Sequence, residues 1–207
     1  MNGYRDRAHA GDVLAEALSA YRGRTDVTVF GLARGGVPVA ARVARALRVP
    51  LDVLVVRKLG VPWAPEVAFG ALGAGGVRVL NPEVAGRLHE RDMADVVAAE
   101  SAELDRREQA YRAGRPPPDL AGRTVILVDD GLATGATAAA AVAVARGLGA
   151  ARVVLAVPVG AADSVARLAT MADEVVCPLA PERFAAVSRF YRCFGQVSAA
   201  EVAELLE

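Results

Sequence analysis

Two adjacent carboxylates, Asp129 and Asp130, are followed at once by a run of small and hydroxyl residues, Gly131 to Thr137. A turn of small residues leaves backbone N–H groups free to bind an anion, and Thr134 and Thr137 add hydroxyl donors, which suits a phosphate group. Two carboxylates beside a phosphate would repel it, so binding sugar hydroxyls or a hydrated Mg²⁺ is their natural role. These residue types therefore predict a site for a phosphorylated sugar.

The segments on either side of this run are expected to hold it in place. Val125 to Val128 are apolar residues typical of a strand buried on both faces, and the Ala- and Val-rich run Ala138 to Ala145 predicts a helix. The carboxylates fall where the strand should end and the small residues fall where the helix should begin. The positive end of a helix dipole attracts an anion, so we expect the phosphate at this helix N-terminus.

A second glycine-rich turn carries an arginine. The β-rich segment Asp26 to Phe30 precedes Gly31-Leu-Ala-Arg-Gly-Gly-Val-Pro-Val, and a helical pattern follows through Leu47. Backbone N–H groups together with the forked guanidinium of Arg34 suit a pyrophosphate. The alternative is a tight turn with a surface arginine.

A basic pair follows the next predicted strand, Leu51 to Val56. It consists of Arg57 and Lys58, and Lys58 is the single lysine of the chain. The carboxyl edge of an open α/β sheet is where ligands bind, so these cations are candidates for holding an anion. A solvated loop end is the alternative.

The stretch from Val125 to Thr137 resembles the phosphoribosyl pyrophosphate (PRPP) motif of type I phosphoribosyltransferases, in which an apolar strand, two acidic residues and a short turn precede Thr-Gly-x-Thr. The alternative is an ordinary strand, turn and helix whose Asp and Thr side chains only cap the helix. The resemblance implies that the acidic pair contacts the ribose hydroxyls. It implies a 5-phosphate loop of Ala133, Thr134, Gly135, Ala136 and Thr137, and a pyrophosphate site of Ala33, Arg34, Gly35, Gly36, Arg57 and Lys58. It also implies a non-proline cis peptide near Ala33–Arg34.

The resemblance extends over nearly all 207 residues, to a bacterial phosphoribosyltransferase-like group whose substrate does not follow from it. The further cues are Arg57-Lys-Leu-Gly, Pro65-Glu-Val-Ala-Phe-Gly-Ala, Tyr111-Arg-x-Gly-Arg-Pro-Pro and Phe194-Gly-Gln-Val-Ser. The alternation of strands and helices predicts an α/β fold with a doubly wound, mainly parallel sheet. We expect one domain over residues 1–207, with a flap hairpin at about 59–80, a helical insertion at about 82–112, a proline-stiffened linker from Gly114 to Asp119 and a C-terminal hood at about 180–207.

The hood is the part expected to recognise a base. In the resembled family a variable hood covers the base, commonly with an aromatic ring stacked on it, so Phe190 and Tyr191 are the candidates. The alternative is an apolar cluster that fixes the C-terminal segment to the core. For the flap, the alternative is a plain hairpin.

Composition excludes several other classes of protein. Lys and Arg together number 24, as do Asp and Glu, so the net charge is zero and the basic excess of a nucleic-acid binder is missing. Cys177 and Cys193 are too few for a disulfide framework or a metal site, which favours a reducing, cytoplasmic setting. No basic segment followed by an apolar run opens the sequence, and no uninterrupted apolar run of about 18 residues appears, so we expect neither secretion nor a membrane span.

These observations predict an Mg²⁺-dependent transferase of nucleotide metabolism that moves ribose 5-phosphate from PRPP to a purine- or pyrimidine-like base and releases pyrophosphate. Asp129 and Asp130 would stabilise the cationic transition state and hold Mg²⁺, directly or through water, while Arg34 and Lys58 would stabilise the leaving group. His9 and His89 lie on predicted helices away from the motifs. A PRPP sensor without activity and an enzyme acting on another phosphorylated sugar are the alternatives, and the resemblance also brings the expectation of a homodimer.

Overall fold

The computed structural model describes residues 3–112 and 116–207. Residues 113–115, at the start of the expected linker, lie outside the described part. The strands are β1 Val27–Leu32, β2 Leu51–Leu54, β3 Val56–Val61, β4 Ala64–Gly73, β5 Val77–Leu80, β6 Thr124–Val128, β7 Arg152–Ala156 and β8 Glu174–Val176. The helices are α1 Arg7–Ala17, α2 Gly36–Leu47, α3 Pro82–Ala85, α4 Glu90–Arg112, α5 Ala136–Gly147, α6 Ala162–Leu168 and α7 Ala199–Leu206, with short 3-10 turns at Ser19–Tyr21, Ala74–Gly76 and Val187–Phe190.

Five parallel strands form the central sheet in the order β2-β1-β6-β7-β8. Every residue of β1 and β6 is buried, as expected of inner strands covered on both faces. The chain passes from β1 outward to β2 and then back past β1 to β6. This reversal of direction gives the doubly wound topology and opens a crevice at the carboxyl ends of β1 and β6. The predicted α/β class is confirmed.

Helices cover both faces of the sheet because successive strand residues point in opposite directions. On one face, Val29 and Ile126 pack with side chains of α1 and α2. On the other face, Phe30 and Leu127 pack with α5. The helices that begin after the two glycine-rich turns therefore lie on opposite sides of the sheet.

The region after β2 differs from the prediction. The run expected as one strand from Leu51 to Val56 ends at Leu54, and β3 begins at Val56 in a second, antiparallel sheet of order β3-β4-β5. An uninterrupted β-prone run does not reveal where the chain leaves one sheet for another. Arg57 and Lys58 therefore lie inside β3 rather than at the end of a central strand, and the expected flap hairpin is a three-stranded sheet.

The second sheet packs directly against α5. A Cβ atom added at Gly73 of β4 would lie 2.1 Å from Cγ1 of Val144, so a side chain larger than glycine has no room at this contact. The expected long helix in the insertion is α4, and its last residue, Arg112, is buried and forms an ion pair of 2.8 Å with Asp52. This pair fixes the end of α4 to β2.

The C-terminal segment divides into two parts. Residues 179–194 form an aromatic cluster with Tyr4, whereas α7 packs through Val202 against the cluster that contains α4. The predicted capping box of α7 is confirmed, because the Ser198 hydroxyl accepts from the N–H of Glu201 and the Glu201 carboxylate accepts from the N–H of Ser198. Within residues 3–112 and 116–207, no helix has both the length and the apolar content needed to cross a bilayer.

Candidate active site

The acidic pair lies directly after β6, at the carboxyl edge of the central sheet. Both residues are largely buried, and Oδ1 of Asp129 accepts a hydrogen bond of 2.9 Å from the backbone N–H of Asp130. Strand β6 is central and fully buried, so it fixes the backbone of the pair. This position is the crevice where open α/β sheets bind their ligands.

The glycine-rich turn after β1 packs onto the acidic pair. A Cβ atom added at Gly35 would lie 2.2 Å from Oδ2 of Asp130, and one added at Gly36 would lie 2.3 Å from the carbonyl oxygen of Val128. Only a residue without a side chain fits at either position. The two glycines therefore let the first turn approach the carboxylates, and they bring together two parts of the sequence that were predicted separately.

Two carboxylates side by side in this crevice are electrostatically unfavourable. Burial raises the pKa of Asp129, and the neighbouring Asp130 carboxylate raises this pKa further. Burial also raises the pKa of Asp130, while the guanidinium of Arg7 opposes the shift. A cation or a set of hydroxyl donors brought to this place would relieve the cost of holding two charges side by side.

The loop expected to hold the 5-phosphate leads into α5. Gly135 adopts a left-handed backbone with φ of 72°, which favours glycine, and α5 begins at Ala136. The first turn of a helix leaves N–H groups without helical partners, and Thr134 and Thr137 are exposed beside them. An anion can therefore bind to backbone N–H groups and hydroxyls at this turn.

Helix α6 supports the same loop from behind. The Ser164 hydroxyl donates a hydrogen bond of 2.6 Å to the carbonyl of Ala133, and the Arg167 guanidinium donates to the carbonyl of Thr134. These bonds fix the loop carbonyls on the α6 side. Neither residue was predicted from the sequence, because no local pattern around α6 indicates that it faces a loop about thirty positions earlier.

The arginine turn after β1 has the backbone that the resemblance implied. The Ala33–Arg34 peptide bond is cis, as expected. Arg34 is exposed, and α2 begins two residues later at Gly36. The turn thus places an arginine and a helix N-terminus on the side of the sheet opposite to α5.

A cavity of about 550 Å³ joins the predicted anion-binding segments. Ala33, Lys58, Thr134 and Thr137 are among the residues that line it. The Lys58 ammonium lies 3.9 Å from a carboxylate oxygen of Glu66, whose side chain is exposed, so this contact holds the lysine only weakly. The cavity is therefore bordered by both predicted phosphate loops and by the only lysine of the chain.

Arg57 lines the same cavity but has a strong partner of its own. Its guanidinium forms a 2.5 Å ion pair with Glu100 of α4, and each side chain is about three-quarters buried. A guanidinium that is already paired with a carboxylate gains less free energy on binding a pyrophosphate than an unpaired guanidinium does. The predicted role of Arg57 at the pyrophosphate stays a prediction.

A known protein family matches the part of the chain that contains these site residues. The sequence model described as the phosphoribosyl transferase domain matches residues 5–189, a range that contains the acidic pair, both loops and β3. This chain belongs to the phosphoribosyl transferase family.

Relatives of this chain support the family assignment along its whole length. Two Mycobacterium tuberculosis proteins, from strains CDC 1551 and H37Rv, bear provisional phosphoribosyl transferase names and are 53% identical over 210 residues. The match covers 100% of this chain and 47% of each relative, so the chain spans about half their length. A crystal structure from Thermus thermophilus is 45% identical, with a TM-score of 0.93 over 99% of this chain and 97% of that one. A structure from Aquifex aeolicus, at 11% identity and a TM-score of 0.52, shares the fold alone and covers 86% of this chain and 76% of that one.

The hood of this chain is fixed to the acidic pair through Tyr191. The Tyr191 hydroxyl donates a hydrogen bond of 2.6 Å to the carbonyl of Asp130, and its ring is buried between the rings of Tyr4 and Phe194, with centroids 5.6 and 4.9 Å away. A Cβ atom added at Gly131 would lie 2.5 Å from a methyl carbon of Val187, so the hood also touches the residue after the pair. A hydrogen bond and a close packing contact therefore join the hood to the acidic pair.

The candidate base-stacking rings are engaged with other rings. Phe190 stacks on Phe184 with centroids 5.3 Å apart, and Tyr191 contributes to the aromatic cluster. Both also line a cavity of about 460 Å³ together with Arg189 and Arg192. The cluster is the alternative that the sequence left open for the hood, while stacking of Phe190 or Tyr191 on a base stays a prediction.

Arg7 is the site residue that sequence analysis missed most completely. Its Nε and Nη2 atoms lie 2.9 and 2.8 Å from Oδ2 of Asp130, and its Nη1 donates a bond of 2.7 Å to the carbonyl of Gly195. The guanidinium carbon lies 4.0 Å from the centre of the Phe194 ring. Nothing around position 7 in the sequence indicates a partner 123 positions away.

Proposed function

We propose that this chain is an Mg²⁺-dependent phosphoribosyltransferase that moves ribose 5-phosphate from PRPP to a planar nitrogenous base and releases pyrophosphate. The observation that carries the proposal is the convergence of both anion loops on one acidic pair. The missing side chain of Gly35 lets the arginine turn contact Asp130, and the 5-phosphate loop follows the pair within the same turn of chain.

The two ends of PRPP have separate binding places in this proposal. The 5-phosphate binds at the N-terminus of α5, on the N–H groups of the loop 133–137 and on the Thr134 and Thr137 hydroxyls. The pyrophosphate binds at the turn 33–36, with Arg34 and Lys58 supplying positive charge and Arg57 beside them. The cavity bordered by Ala33, Lys58 and Thr134 supports this division, because it joins the two places.

The donor set at the acidic pair fits a magnesium ion that also takes ligands from the substrate. Among the described residues, His, Cys, Asp and Glu form no group of three or more that could hold a metal by themselves. Mg²⁺ typically uses one or two carboxylates together with waters and substrate oxygens, which matches Asp129 and Asp130. When bound, Mg²⁺ would neutralise the negative charge that develops on the leaving pyrophosphate.

The residues of the chain divide the chemistry between them. Bond breaking at the anomeric carbon leaves positive charge on the ribose and negative charge on the pyrophosphate. The Asp129 and Asp130 carboxylates hold the ribose hydroxyls and stabilise the positive side, while Arg34 and Lys58 stabilise the negative side. The two carboxylates act well as fixed groups because the buried strand β6 holds their backbone in place before the substrate arrives. For the base, Phe190 and Tyr191 are proposed as stacking residues of the hood.

Titration calorimetry with PRPP tests the binding part of the proposal. Wild-type protein is titrated with PRPP in the presence and absence of Mg²⁺, and the variant with Asp129→Asn and Asp130→Asn is the matched control. We expect saturable, Mg²⁺-dependent binding to the wild type and none to the variant. Absence of binding to the wild type would overturn the assignment of the loop 133–137.

A screen of bases then tests the transfer. Adenine, guanine, hypoxanthine, xanthine, uracil and orotate are each incubated with PRPP and Mg²⁺, and released pyrophosphate is measured. Release that depends on one base identifies the acceptor. Binding of PRPP without release on any base would favour a sensor, and release without any base would favour hydrolysis of a phosphorylated sugar.

A further inference from the structure

Arg7 connects three parts of the molecule that are distant in the sequence. It belongs to the first turn of α1, its forked guanidinium holds Oδ2 of Asp130, and it also binds the carbonyl of Gly195 beneath the Phe194 ring. The side chains of Arg7 and Asp130 are 13% and 14% exposed. A pair so little exposed is weakly screened by salt, and each partner depends on the other because an unpaired buried charge is costly.

The position of Arg7 in α1 shows that its charge does not serve the helix. A cation in the first turn faces the positive end of the helix dipole, which is unfavourable. The cap of this turn is supplied by Asp6, whose carboxylate accepts a 2.8 Å bond from the N–H of His9. The contact with Asp130 offsets the unfavourable position, so the reason for an arginine here lies in the site.

The Asp130 carboxylate is confined on two sides. Its Oδ2 atom meets the backbone of Gly35 so closely that an added Cβ would lie 2.2 Å away, and the same oxygen takes two contacts from Arg7. The side chain can therefore not rotate toward Gly35. The contacts on Oδ2 therefore hold the carboxylate in one orientation.

The chain ends are joined at the same place. The N–H of Arg192 donates to the carbonyl of Tyr4 at 3.0 Å, and the N–H of Cys193 donates to the carbonyl of Arg5 at 2.8 Å. These bonds place the segment before α1 beside the segment that carries Phe194 and Gly195. Removing the Arg7 side chain would leave this junction without its link to the Asp130 carboxylate, although the Tyr191 hydroxyl would still bind the Asp130 carbonyl.

We propose that Arg7 is a positioning residue, which holds the Asp130 carboxylate in its ligand-binding orientation and makes that orientation depend on the docking of the 190–195 segment. The inference rests on the proposed function, because the ligand of Asp130 is taken to be PRPP with Mg²⁺. It assigns to the N-terminal segment a direct part in ordering the site.

The first experiment compares Arg7→Ala with Arg42→Ala by titration calorimetry with PRPP and Mg²⁺. Arg42 is the matched control, since it forms a two-pronged ion pair with Asp12 on the exposed side of α1 and α2. We expect Arg7→Ala to raise the Kd about tenfold to a hundredfold, the range that corresponds to losing hydrogen bonds to a charged group. Arg42→Ala should bind as the wild type does.

Two further readouts separate positioning from a general loss of structure. Arg7→Lys should recover part of the affinity because it keeps the charge, and millimolar guanidinium chloride should partly rescue Arg7→Ala but have no such effect on Arg42→Ala. Phe194→Ala, which leaves every proposed PRPP contact in place, should also weaken binding. A Kd for Arg7→Ala equal to or lower than that of the wild type would overturn the proposal.

Hydrogen exchange of the unliganded proteins tests the docking without PRPP. The amides of Arg192 and Cys193 should exchange faster in Arg7→Ala than in the wild type, and Arg42→Ala should leave them unchanged. Equal exchange in all three proteins would overturn the proposal. If the wild type fails to bind PRPP, the proposed function fails, and the exchange rates still decide whether Arg7 holds the segment.

Discussion

Replacing Gly35 by alanine should damage the site through a single added carbon. The backbone of Gly35 has φ of −61° and ψ of −30°, which alanine adopts readily, so backbone strain is not the issue. The added Cβ would lie 2.2 Å from Oδ2 of Asp130 and 2.8 Å from its Cγ. An ordinary contact between such atoms is longer by about 1 Å, and the carboxylate has to move by that amount.

The free energy lost through this movement comes mainly from the contacts of Asp130 with Arg7. A shift of about 1 Å breaks the bonds of 2.9 and 2.8 Å that Arg7 makes with Asp130. A hydrogen bond to a charged group contributes about 1.5–3 kcal/mol, and the smaller flexibility of alanine in the unfolded chain returns about 0.4–1 kcal/mol. The loss of two such bonds, less this gain, should lower the free energy of unfolding of Gly35→Ala by about 2–6 kcal/mol. Turnover should fall about a hundredfold, as misplacement by about 1 Å does.

Urea unfolding monitored by circular dichroism measures the free energy of unfolding. Calorimetry with PRPP and Mg²⁺ measures the affinity, and pyrophosphate release measures the turnover. Gly195→Ala is the matched control, since a Cβ added there has no atom within 4 Å and the carbonyl that binds Arg7 is kept. Wild-type stability together with wild-type PRPP affinity in Gly35→Ala would refute the steric reasoning.

Further predictions concern the carboxylates and the 5-phosphate loop. The variant with Asp129→Asn and Asp130→Asn should keep its circular dichroism spectrum and lose turnover, and wild-type rates would remove the pair from the mechanism. Burial raises the pKa of Asp129, so between the ordinary carboxyl pKa and this raised pKa the folded state binds more protons than the unfolded chain. The contribution of this carboxyl to stability therefore falls as pH rises through that range. Binding of Mg²⁺ and PRPP, which favours the carboxylate, should then release protons, and equal binding heats in buffers of different ionisation enthalpy would contradict this. Arg167→Ala should weaken PRPP binding severalfold by freeing the Thr134 carbonyl. Arg146→Ala, which removes an exposed arginine of α5, is the control and should leave the affinity unchanged. Equal affinities of the two variants would show that the loop needs no such support.

The parts of the site that the sequence predicted are those whose signals are local. Strand, acidic pair, turn and helix follow one another between Val125 and Ala145, and their order alone sets their relative positions. The turn at Ala33–Arg34 is local in the same way, and its cis peptide followed from the resemblance. The alternation of side-chain direction along β1 and β6 then determines which residues face which helices.

The parts that the sequence did not predict depend on tertiary contacts. Arg7 reaches Asp130, and Ser164 and Arg167 reach the 5-phosphate loop, only because helices pack in a particular register. Arg57 lies at the second position of β3 rather than at the end of a central strand for a related reason, because the same β-prone residues suit a strand of either sheet.

The helices α2 and α5 lie on opposite faces of the central sheet, and each begins at one of the two loops proposed to bind PRPP. A single bound PRPP molecule would therefore contact the starts of both helices and hold the helical layers on the two faces of the sheet together. A ligand that binds only the folded state adds about 2.7 kcal/mol of stability at a concentration a hundred times its Kd. A higher concentration of PRPP would then raise the resistance of the folded protein to heat and proteolysis, in addition to raising its rate of turnover.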